Sequence, residues 1–165
     1  MSKNISYFLL ITMSIALMAC PAVNRWSQEK MDSFEADCHS KTSFHVSSVG
    51  LLGFYSSELD TVIVLEKLNG QTLDTLIFHP ITEEFEDKFR MVWIKPDTTF
   101  NISSSYHFCI GNSKPYILDN LETALLPEPT MFEDGYGCYM SNYSIDSVFY
   151  ANRRNIEIKK RNIDK

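Results

Sequence analysis

The residues best able to do chemistry are the cysteines and histidines. His107 and Cys109 are two apart in an apolar, β-branched context, so on a strand both project to one face. Cys38-His39 could bring two more ligands, completing a Cys2His2 set of the kind that holds tetrahedral zinc. Adjacent residues on extended chain point oppositely, however, and neither pair has zinc-finger spacing, so ordinary packing is the better account and no metal is expected. Nucleophilic catalysis has less to stand on. There is no Gly-x-Ser-x-Gly elbow and no cysteine in a recognisable protease context; any of the four histidines, at 39, 45, 79 and 107, could meet a serine and an aspartate only through the fold. The carboxylates of Glu83-Glu84-x-Glu86-Asp87 crowd one short segment, as a solvated face does, rather than forming a separated acid/base pair. The expectation is a protein that is not an enzyme and uses no cofactor. Phe132, Tyr136, Tyr139, Tyr143, Phe149 and Tyr150 concentrate aromatic rings in the C-terminal third. Most are expected to fill the core. Tyr136 and Tyr139, flanking Gly137-Cys138, are expected nearest the surface, where rings stack on sugars or anchor protein partners.

Beyond Cys20 there are three cysteines, Cys38, Cys109 and Cys138. An odd count outside the cytosol suggests one disulfide and one spare thiol. Proximity in sequence favours Cys109–Cys138, with Cys38 left over, although connectivity cannot be derived from sequence.

The N-terminus explains why an oxidising compartment is in question. Lys3 starts the chain positively, Tyr7–Met18 is an apolar run broken only by Thr12 and Ser14, and Leu17-Met18-Ala19-Cys20 closes it. Twelve residues are too few to span a bilayer but suit the core of an export signal. The ending resembles the lipobox of bacterial lipoprotein precursors, with Leu at −3, Ala at −1 and Cys at +1; Met18 departs from the small or branched residue usual at −2. The resemblance implies cleavage after residue 19 and acylation of Cys20. Two or more acyl chains anchor a protein stably, whereas one does not. The partner expected from this is a membrane of the cell envelope, the outer ahead of the inner, with the domain outside the cytoplasm.

Removal of residues 1–19 from the 165 leaves 146, enough for one domain. Lys3 is the only charge removed, so the remainder holds 14 basic and 21 acidic residues, net −7. That field excludes nucleic acid as a partner. Arg153–Lys165 is locally basic, six cations against two carboxylates, as a soluble terminal edge often is.

The elements that must position these residues are strands. Residues 20–41 read mainly as a tether, although Asn24–Asp37 could form a short helix. From Thr42 onward the pattern predicts strands over Thr42–Ser47, Thr61–Leu68, Thr72–His79, Lys88–Lys95, Ser105–Ile110, Pro115–Leu121, Tyr139–Asn142, Ser147–Tyr150 and Asn155–Lys159. Asn69-Gly70 is the strongest short-range hairpin signal, and Gly111–Lys114 reads as a second turn. Thr82–Asp87 reads as a loop or single helical turn, and Leu125–Gly137 as the longest irregular stretch and first place to look for a site. This spacing predicts an all-β, antiparallel β-sandwich over residues 42–165.

Glu58–Val64, Asn69-Gly70, Leu73–Ile77, Tyr106–Leu121 and Ile156–Lys159 together look like small envelope lipoproteins with an immunoglobulin-like or transthyretin-like sandwich. The resemblance implies fold and compartment, not mechanism. Asp60-Thr61-Val62, Asp74-Thr75-Leu76, Asp97-Thr98-Thr99 and Asp146-Ser147-Val148 each resemble an O-glycosylation acceptor of exported proteins. The leading expectation is a non-catalytic structural, interaction or ligand-binding lipoprotein. Carbohydrate binding is the alternative, and an envelope hydrolase comes third.

Overall fold

A computed structural model describes residues 24–80, 91–128 and 133–161. Its elements in order are β1 (Asn24–Arg25), α1 (Gln28–Ser40), β2 (Ser43–Val46), β3 (Val49–Leu52), a 3-10 turn (Ser56–Glu58), β4 (Val62–Leu68) and β5 (Gln71–Phe78). Then come β6 (Met91–Ile94), β7 (Thr98–Asn101), β8 (Ser105–Ile110), β9 (Tyr116–Pro127), β10 (Glu133–Asp134), β11 (Tyr136–Ile145), β12 (Val148–Tyr150) and β13 (Ile156–Lys159).

A six-stranded antiparallel sheet runs in the order β12-β11-β9-β8-β4-β5. A three-stranded sheet, β13-β3-β6, and a two-stranded sheet, β2-β7, supply the rest of the barrier around the core. The β13–β3 pair is parallel; β3–β6 and β2–β7 are antiparallel. The fold is therefore all-β and sandwich-like, with one α-helix among the described residues.

Side-chain alternation decides which face each strand buries. In β8, Tyr106, Phe108 and Ile110 point inward and are at most 1% exposed, while Ser105, His107 and Cys109 are half-buried on the other face. Val62 and Val64 of β4 and Leu118 of β9 join them, and Val49, Leu51, Ile94, Phe100, Ile156 and Ile158 come from the smaller sheets. Tyr106 stacks on Phe100 with centroids 3.8 Å apart, and its hydroxyl accepts the Asn101 N–H at 2.5 Å. That pair ties β7 to the large sheet and gives the Tyr106 hydroxyl a partner. Burial raises the Tyr106 pKa.

At Asn69-Gly70 both residues have positive φ, +51° and +81°, as the tight turn between β4 and β5 demands. β3 is less legible. Gly50 sits in its middle because the Met91 sulfur and Trp93 ring lie across it, the sulfur only 2.9 Å from where a Cβ would be. A strand interrupted by glycine and buried at Val49, Gly50 and Leu51 shows no period-two alternation, so it escapes a pattern search.

Three expectations change. Residues 24–41 are not simply a tether: they form β1 and a 13-residue helix, capped where Ser27 Oγ accepts the Lys30 N–H at 3.2 Å. The helix carries the fully buried Cys38, and Thr123 Oγ1 donates to the Cys38 carbonyl at 2.8 Å, so the folded domain begins before residue 42. Of Leu125–Gly137, residues 129–132 lie outside the described residues and the described part is mostly strand, because β9 runs on to Pro127 and β11 starts at Tyr136. The third concerns the disulfide, below. Residues 1–19, Cys20, Thr82–Asp87 and Phe132 lie outside the described residues.

Candidate functional site

β9 and β11 outrun β8, whose last partner on β9 is Leu118. Beyond it, from Leu121 to Pro127, β9 pairs only with β11, forming a two-stranded ribbon with Leu126 opposite Gly137 and Leu125 opposite Cys138. A ribbon of two strands cannot bury both faces by itself. Helix α1 covers one of them.

The cover is covalent. Cys38, in the last turn of α1, is bonded to Cys138 of β11, with Cα atoms 5.6 Å apart, and Cys109 is the free cysteine. The expected Cys109–Cys138 bond is corrected on simple geometry. β9 lies between β8 and β11, with Phe108 of β8 opposite Tyr116 and Cys138 of β11 opposite Leu125, so the two cysteines are separated by two strand spacings across the sheet and by roughly 30 Å along β9, far beyond disulfide reach. Closeness in sequence misled because the connection crosses a hairpin. The zinc set dissolves with it: Cys38 is oxidised, and among the described residues no group of three or more His, Cys, Asp or Glu could hold a metal.

Tyr136 and Tyr139, expected nearest the surface, lie on β11 in the ribbon, and both are half-buried. Tyr136 meets the edge of Trp26, centroids 6.0 Å apart, and Trp26 in turn meets Phe34 at 5.2 Å. Tyr139 lies over Gly137, where a Cβ would overlap both its ring and a Glu128 carboxylate oxygen. Its hydrogen bond to Glu128 raises its pKa, with the Arg154 cation pulling the other way. The Arg154 guanidinium sits 5.7 Å from that ring and donates to the Pro127 carbonyl. Of the remaining rings, Tyr143 is in the core with its hydroxyl donating to Asn155 O at 2.9 Å, whereas Phe149 is 59% exposed.

Tyr139 and Arg154 edge a cleft of about 510 Å³ lined by Phe44, His45, Val46, Ser47, Ser48, Cys138, Met140, Asn155 and Ile156 as well. The walls are apolar and the rim carries hydroxyls, an amide and one guanidinium, the mix that binds a small polar ligand. His45 Nε2 is 3.3 Å from Asp97 Oδ1, but both side chains are more than half exposed. No hydrogen bond from Ser47 or Ser48 to His45 is present among the described residues, so the serine–histidine link of an activated nucleophile is not formed. His79 contacts Thr61 Oγ1 at 3.4 Å and the Asp60 carbonyl at 3.2 Å; His39 faces Glu35 across one helical turn. Each histidine thus has its own local setting.

The opposite pole is a charged clamp that the sequence does not announce. Arg161 binds Asp146 Oδ2 through Nε and Nη2 at 2.9 and 2.6 Å. It also donates to the carbonyls of Lys114 and Pro115 and lies 3.9 Å from the Tyr116 ring. The basic C-terminal run therefore locks β13 to two turns of the large sheet. Lys160 does the same through Glu58 at 2.7 Å.

No family model, no curated protein and no solved structure matches this chain. The function has to be argued from the residues.

Proposed function

We propose that the protein is an exported lipoprotein, held to an envelope membrane through acylated Cys20, whose sandwich-like domain has a non-catalytic interaction or ligand-binding role. One observation carries the reading: the Cys38–Cys138 disulfide, in a chain whose first twenty residues resemble an export signal and lipobox. Disulfides persist in oxidising compartments and are rare in the cytosol. This bond joins the helix that follows the anchor to the longest hairpin of the domain, so it lies where a load on the tether enters the fold. The outer membrane is the preferred site, and an immunoglobulin-like or transthyretin-like relationship is the preferred ancestry.

Intact-mass measurement on protein from its native host tests this. The expected mass lacks residues 1–19 and carries acyl chains on Cys20, and Cys20→Ala releases the domain from membranes. An intact Met1, or an unmodified Cys20 thiol, refutes the proposal.

A second reading, glycan binding, is favoured by the cleft at Tyr139 and Arg154. Calorimetric titration of envelope glycans into the soluble domain tests it: binding that Tyr139→Ala abolishes supports it, and no heat with any of them sinks it.

A further inference from the structure

The lipid anchor proposed above, on which this inference rests, lies four residues before Asn24. A chain reaches at most about 3.6 Å per residue, so the Cα of Cys20 is held within about 14 Å of Asn24. β1 is paired in parallel with β10, Asn24 opposite Glu133 and Arg25 opposite Asp134. That places it at the free end of the β9–β11 ribbon, where the Glu128 N–H donates to Gly135 O at 2.8 Å. The far pole, at Tyr116 and the turn after β8, is eleven residue steps along β9, roughly 36 Å away.

We propose that the ribbon end is the surface that sits on the bilayer, its partner being the headgroup region of the lipid. Tether length forces the approach, and the side chains fit it. Trp26, Tyr136 and Tyr139 are half-buried rings of the types enriched at a membrane–water interface; the Trp26 indole N–H is turned inward, so it is the ring's remaining edge that faces outward. Lys30 Nζ lies 3.9 Å above the Trp26 ring and the Arg154 guanidinium 5.7 Å from the Tyr139 ring, so a cation is packed against a ring on each side of the ribbon end. Helix α1 also carries Glu29, Asp32, Glu35 and Asp37, so the pole is not a basic patch. Seating follows from tether and rings, and zwitterionic lipid suffices for it.

The test uses the acylated full chain in phosphatidylcholine vesicles whose lipids carry bromine near the headgroup end of the acyl chains. Trp93→Phe leaves Trp26 as the single tryptophan, at the cost of a side chain 42% exposed on β6. A fluorophore on Asn112→Cys, in a Cys109→Ser background, reports the far pole. Trp26 is expected to lose most of its emission and the Asn112 label almost none. Unquenched Trp26 in protein that floats with the vesicles, or a label quenched as strongly as Trp26, overturns the inference while the anchor stands. Protein that carries no acyl mass and does not float overturns the anchor, and the inference with it. Circular dichroism of both variants against the parent confirms that the readings come from folded protein.

Discussion

Reducing the Cys38–Cys138 bond should destabilise the domain more than removing any one hydrogen bond in it. The bond closes a loop of 100 residues. In the loop-entropy description, opening a loop of that size releases about 4.7 kcal/mol of constraint on the unfolded chain, within a measured range of about 2–5 kcal/mol. Cys38 is fully buried and remains so as a thiol, so reduction adds no cavity to that cost. For a domain of about 140 residues with an unfolding entropy near 2.1 cal/mol/K per residue, a loss of about 3–4.7 kcal/mol lowers Tm by about 10–16 °C. The assay is thermal unfolding by circular dichroism with and without a phosphine reductant. Cys38→Ala/Cys138→Ala serves as the permanent reduced state, and Cys109 is left in place. Limited proteolysis at α1 should accelerate in parallel, because the helix loses its covalent hold on the ribbon. A shift under about 3 °C would refute the loop-closure argument, and with it the claim that this bond is what secures helix α1 to the ribbon.

Three further outcomes are expected. Acidification should weaken the fold in two stages: burial, aided by Lys67 and opposed by Asp119, lowers the pKa of His107 below its ordinary 6.5. The unfolded chain then binds the extra proton first, so stability falls as pH drops below about 6.5 towards the folded-state value, and His107→Gln should flatten that limb of a Tm–pH curve. Glu58 supplies the second stage. Burial raises its pKa, but bonds from Lys160 and the Tyr55 N–H outweigh that and leave it below the ordinary 4.5. Its contribution is present above about pH 4.5 and is lost as pH falls through the lowered value; Lys160→Met should remove most of that loss. Ser141→Ala should be neutral or stabilising by up to about 1 kcal/mol in urea unfolding, because Ser141 Oγ is buried without a hydrogen-bond partner. Arg161→Ala should cost about 1–2 kcal/mol in the same assay, moderated by its partial exposure, because it strands Asp146 and two carbonyls.

Much of the strand framework was legible because local rules acted alone. Ser105–Ile110 alternates over six residues without interruption and is found where expected. Asn69-Gly70 demands its hairpin through φ, and Thr61–Leu68 and Thr72–His79 fall within a residue of β4 and β5. Val49–Leu52 stayed hidden because burial on both sides of Gly50 erases alternation. The candidate site was legible only in part. Tyr136 and Tyr139 stand at the ribbon, but that Trp26 from the N-terminal segment reaches one of them, and Arg154 from the C-terminal segment the other, has no local signal.

By itself the amino-acid sequence determined whatever depends on near neighbours: an apolar run ending in Leu-Met-Ala-Cys, an acidic remainder, and strands with their turns. Tertiary structure alone decided which cysteine finds Cys138, that α1 belongs to the folded domain, and that Arg161 clamps two distant turns. The physical reason is sheet order. Once β9 is inserted between β8 and β11, Cys109 lies two strands over and at the opposite end of β9 from Cys138, while a helix a hundred residues earlier in the chain lies against Cys138.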